Sequence, residues 1–115
     1  MINTIQNKGA FTTRELKTGE YSVTEIWSKP SSGQLEQLVA TAHSIKAAEE
    51  WVRIFEDVPH MAMVEFYNTT TGTQLLSYLA MLGYRIVSHQ IVQSDRDRVW
   101  HYVILQHKFG GTELA

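Results

Sequence analysis

Histidine has the widest chemical reach of any residue type in this chain, and its five copies stand at positions 43, 60, 89, 101 and 107. A neutral imidazole binds transition metals and changes charge near neutral pH, so two rings held together could serve a metal, a proton transfer or an anion. Two runs rich in Val, Ile, Tyr and Trp, residues 84–93 and 99–109, flank the polar segment Ser94-Asp95-Arg96-Asp97-Arg98 and predict a hairpin. If Gln93 pairs with Val99, Ile91 falls opposite His101, His89 opposite Val103, Val87 opposite Leu105 and Arg85 opposite His107. His89 and His101 are then diagonal neighbours, about 7 to 8 Å apart between backbones and within side-chain reach. A divalent metal wants a third ligand, which only Glu65 or Asp57 could bring from elsewhere. The expectation is therefore no metal and no cofactor, with His89 and His101 as partly exposed hairpin histidines. The two-histidine phosphoesterases carry His-x-Ser/Thr on adjacent strands; here Ile91 and Val103 occupy those places, which disfavours that chemistry.

Arg85 and His107 face one another in the same register, with Arg96 and Arg98 at the loop. Guanidinium forks match phosphate geometry, so these residues, with His89 and His101, are the candidates for a small anionic ligand such as a nucleotide or phosphorylated metabolite. Asp95 and Asp97 interleave with the loop arginines, and the competing reading is a solvated loop of self-cancelling charge. The opposite hairpin face collects Ile86, Ser88, Gln90 and Val92 against Gln106, Ile104, Tyr102 and Trp100. Aromatic and amide groups of this kind suit protein interfaces, which makes Trp100, Tyr102 and Gln90 the interface candidates. The alternative is that the helices cover Trp100 and Tyr102 as core.

No catalytic set emerges. Cysteine is absent, which removes disulfides and thiolate chemistry. No Ser, His and acid combination has a distinguishing spacing, and Thr69-Thr70-Thr71-Gly72 lacks the lysine and glycines of a phosphate loop, leaving a helix cap as its role. The sequence points away from an enzyme, with a histidine-dependent hydrolase kept as the remotest alternative. A net charge of −2 without segregation along the chain argues against nucleic acid. No apolar stretch is long enough for a membrane span, and the first residues carry no leader pattern, so a cytoplasmic location is expected.

The elements that must position these residues form a chain of 115 residues, a size that suits one domain. Residues 1–9 read as an arm that frays or docks, 10–109 as a single domain and 110–115 as a tail. Residues 11–16 and 21–27 predict a hairpin whose second strand, with no cleanly apolar face, suits a sheet edge. Leu35, Leu38, Val39 and Ala42 have helical spacing, but a strand ending at His43, with Ser44 capping a helix over 45–57, is preferred. Ile45, Ala48, Trp51, Val52 and Phe55 make that helix's apolar stripe. Residues 60–68 predict a central strand, 68–72 a turn, and 73–82 a helix stopped by Gly83 in a left-handed conformation. The fold class is α+β, a mostly antiparallel sheet of about five to six strands with two short helices on one face.

The stretch from Leu75 to Phe109 resembles short uncharacterised bacterial and phage domains in which a helix ends in Gly plus an aromatic and runs into a hairpin. This sequence has Tyr84 where Trp is more usual. The resemblance implies no activity and favours a small accessory binding protein. The functional expectation is a small non-catalytic module acting through protein–protein contacts, with a protein partner or copies of itself.

Overall fold

The computed structural model describes residues 2–8, 10–18, 21–29, 35–93 and 98–108, the first stretch by its backbone path. The sequence features at 19–20, 30–34, 94–97 and 110–115 lie outside the described residues. The chain divides into two compact units, Met1–Glu56 and Asp57–Ala115.

The first unit holds β1 (Ile2–Lys8), β2 (Phe11–Thr18), β3 (Tyr21–Ser28), β4 (Gln37–Ala42) and α1 (Ile45–Asp57). The strands form an antiparallel sheet in the order β1-β2-β3-β4. The polar arm thus docks as β1 on β2. Helical spacing over 35–42 loses to strand pairing: Ala40 and Ala42 lie across from Ile26 and Thr24, and all four are buried. β3 is an inner strand, paired with β2 on one side and β4 on the other, and not the edge its sequence suggests; Thr24 and Ile26 share a fully buried face on it. Threonine accounts for the misreading, since it counts as polar in a pattern yet packs like valine on a pleated surface.

Ser44 Oγ accepts a hydrogen bond from the Ala47 amide at 3.1 Å, which starts α1 where expected. The buried face of α1 is Ala47, Ala48, Trp51, Val52 and Phe55, and Phe55 meets Phe11 at 5.4 Å between ring centroids. The hydroxyls of Thr13 and Thr24 are buried without hydrogen-bond partners. Such a group costs about 1–3 kcal/mol, so Thr24→Val, which exchanges the hydroxyl for a methyl in the same shape, is expected to stabilise the chain by about 1 kcal/mol. A raised urea midpoint is the confirming measurement, and a lowered one would show that the hydroxyl is solvated.

The second unit holds β5 (Met61–Phe66), α2 (Thr69–Met81), β6 (Tyr84–Gln93) and β7 (Val99–His107). Its antiparallel sheet runs in the order β5-β7-β6. The expected α+β class, antiparallel pairing and two helices are all present. The strands are shared between two sheets, of four and three strands, rather than joined in one.

β7, not β5, is the central strand of the second sheet. β5 buries Ala62, Val64 and Phe66 but exposes Met61, Met63 and Glu65. Its other face carries methionine, apolar enough to mimic two-sided burial in a sequence pattern. α2 begins at Thr69, inside the expected turn, because Asn68 Oδ1 accepts from the amides of Thr70 and Thr71 at 2.9 and 3.1 Å. Leu75 and Leu79 are its fully buried side chains. The helix is capped at Leu82 and followed by Gly83, whose φ of 106° is a conformation that suits glycine. The Tyr84 hydroxyl donates to the Pro59 carbonyl, and burial pushes this phenol above its ordinary pKa.

Candidate functional site

The β6–β7 register is Gln93 opposite Val99, Ile91 opposite His101 and His89 opposite Val103, as the loop position predicts. It then slips by one between Ile86 and Ser88, which leaves Val87 as the extra residue. Beyond this bulge Ile86 faces Leu105, Arg85 faces Gln106 and Tyr84 faces His107. Two expectations change as a result. Val87 is not opposite Leu105, and Arg85 is not opposite His107.

Above the bulge the structure joins the two histidines. His89 Nε2 lies 2.9 Å from His101 Nδ1, a hydrogen bond whose donor depends on the tautomers. His89 is exposed and His101 half-buried. The His101 ring stacks on Phe66, with centroids 5.0 Å apart and planes 11° from parallel. Phe66 in turn is buried against Gly72, where an added Cβ would collide with its ring. The path from Gly72 through Phe66 to His101 therefore fixes one imidazole while the other stands at the strand edge. Sequence reasoning does not single out Phe66 and Gly72 as site residues. The one signal for them is a glycine just inside a helical pattern, which often marks close approach of a neighbour.

The remaining candidates are dispersed. Arg85 Nη2 donates to Gln106 Oε1 at 2.9 Å, and the amide of Gln106 meets His60 Nε2 at 3.2 Å. His107 closes the end of α2: its Nε2 lies 2.6 Å from the Leu82 carbonyl oxygen, and its ring meets Tyr84 edge-on at 5.0 Å. Arg98 lies over the Tyr67 ring, 4.7 Å from its centroid, and Tyr67 meets Trp100 edge-on at 5.0 Å. Arg96 lies outside the described residues.

The interface candidates share one face of the sheet. Gln90 pairs with Tyr102, and the neighbouring pair is Val92 with Trp100. Trp100 and Tyr102 are half-buried, while Gln90 and Val92 are exposed. The bulge moves Ile86 off this face.

Among the described residues no group of three or more His, Asp or Glu side chains could hold a metal ion, and no helix is long and apolar enough to cross a membrane. No family model, curated protein or solved structure matches the chain.

Proposed function

We propose that this protein works by binding protein, and that its partner is a second copy of the same chain joined along β6. The observation that carries the reading is the character of that strand. β6 is ten residues long and forms an edge of its sheet. Its large apolar side chains Ile86, Val87, Ile91 and Val92 are between 46% and 61% exposed. An edge strand presents backbone donors and acceptors that another strand can pair with, and proteins ordinarily blunt it with charge, proline or shortness. From Ser88 to Gln93 the sequence offers no proline, carboxylate, lysine or arginine for this purpose. Two antiparallel copies of one strand satisfy each other about a two-fold axis, which supports an isologous dimer.

Gln90, near the middle of the exposed stretch, supplies the test. It is exposed, so lysine there leaves the fold intact, and a two-fold pairing centred on mid-strand brings the two new charges close together. Sedimentation equilibrium at low micromolar concentration is expected to show the wild-type chain as a dimer and Gln90→Lys as a monomer. A wild-type monomer across the range, or a variant that dimerises unchanged, would overturn the proposal.

A further inference from the structure

We infer that the His89–His101 pair makes the β6 dimer sensitive to acid: the dimer holds while the pair carries at most one positive charge and loosens once both imidazoles are cationic. This rests on the β6 pairing proposed above.

A hydrogen bond between two imidazoles needs one nitrogen that donates and one that accepts. His89 Nε2 and His101 Nδ1, 2.9 Å apart, meet that need when both rings are neutral or when one is charged. An imidazolium carries N–H on both nitrogens, so two of them set donor against donor and charge against charge, and the contact must open. Which ring moves follows from what holds each. His101 is stacked on Phe66, itself close against Gly72, whereas His89 is exposed on the edge strand. Rows of paired residues cross the three strands: Phe66, His101 and Ile91 form one, and Val64, Val103 and His89 the next. His101 therefore lies on the β7 side of His89. Repulsion drives the His89 ring away from its own sheet, to the side where the second copy pairs.

Among the described residues no Asp or Glu joins the two rings to offset their charge. β5 lines this face with Ala62, Val64 and Phe66, and its one carboxylate, Glu65, stands across from Tyr102 on the other face. His60 and Arg85 are engaged with Gln106, Tyr84 with the Pro59 carbonyl, His107 with the Leu82 carbonyl and Arg98 with the Tyr67 ring. α2, which packs on this sheet, has Tyr78 as its one titratable residue, a phenol that burial raises above its ordinary value and keeps neutral in acid. With Gln90 near the axis of the paired strands, the second copy sets its Ile91 opposite His89 and its own His89 diagonally across, about 7 to 8 Å away between backbones. Acid thus faces two imidazolium rings across the junction, with two more one strand further in on either side. Like charges at that spacing repel, which favours the separated chains.

The test follows the full chain by sedimentation equilibrium at low ionic strength, where the repulsion is least screened. It compares about pH 8 with about pH 5, the limits between which an unperturbed imidazole changes charge. The wild-type dimer is expected to weaken about tenfold at the acid end, with its circular dichroism unchanged. His89→Gln keeps a polar side chain that takes up no proton, and its dissociation constant should be nearly the same at both pH values. The readout is a ratio between two conditions, so any effect of the substitution on affinity itself cancels. The exposed His89 is the residue to replace, because a change at His101 would also disturb Phe66. A wild-type dimer of equal strength at both pH values would remove the acid sensitivity and leave the edge pairing standing. An acid effect that persists in His89→Gln, through unfolding or through another group, would overturn the inference. A monomer at both pH values would remove both readings.

Discussion

Replacing Leu105 with Ala is expected to destabilise the chain by about 2 to 5 kcal/mol, whereas Ile91→Ala, one strand away, should change its stability by no more than about 0.5 kcal/mol. Leu105 is 1% exposed on the central strand, across from Ala62 on one side and Ile86 on the other. Truncation there removes buried methyl groups and leaves a cavity on the buried face of the sheet, flanked by Ala62 and Ile86. Ile91 has the same number of carbons to lose, but it is 61% exposed. The hairpin pattern alone puts Val87, Ile91, Val103 and Leu105 together as the densest part of the core. The structure buries Val103 and Leu105 and leaves Val87 and Ile91 outside. Since a whole domain is stable by only about 5–15 kcal/mol, a loss of this size should be plain in a urea titration. Equal midpoints for Leu105→Ala and Ile91→Ala, measured where the chain is monomeric, would show that Leu105 is packed no more deeply than Ile91 and would overturn the placement of β7 at the core of its sheet.

The places where the sequence is legible, and where it is not, have physical causes. Strand alternation together with a polar loop fixes the pairing of Gln93 with Val99, and from that pair the contact between His89 and His101 follows without any tertiary information. The same count fails past Ser88, because Ile86 and Val87 are both apolar and either could face inward, so the one-residue slip leaves no mark in the pattern. Arg85 consequently meets Gln106 and not His107, and the expected juxtaposition of arginine with histidine dissolves. Strand order is less legible than strand position. Alternation tells which residues share a face but not which strand lies beside which, so β5 and β3 exchange their expected edge and inner roles. Phe66 reads as an ordinary core aromatic. Its part in orienting His101 depends on the closeness of Gly72, a relation between helix and strand that no local spacing encodes.

Gly72→Ala is expected to destabilise the chain by about 2 kcal/mol, against the usual sign for a glycine replaced inside a helix. Alanine normally gains roughly 1 kcal/mol there through propensity and a less flexible unfolded chain. At position 72, however, the new Cβ would lie within the contact radius of three Phe66 ring atoms, with Cζ at 2.6 Å and Cε1 and Cδ1 nearer still. Overpacking of this kind costs about 1–3 kcal/mol and occasionally more, and the depth of the overlap places this case at the upper end. A flexible side chain could swing away cheaply, but Phe66 is buried and its ring is stacked on His101. The ring can move only by disturbing that stack. Adding Phe66→Leu to Gly72→Ala should therefore restore part of the loss, a favourable coupling that a double-mutant cycle measures directly. The same displacement should reach the candidate site: the ring resonances of His101 and His89 should shift in Gly72→Ala at temperatures where the chain is still folded. If the two substitutions prove additive and those resonances stay in place, Phe66 is not held between Gly72 and His101, and the imidazole pair owes its geometry to the strands alone.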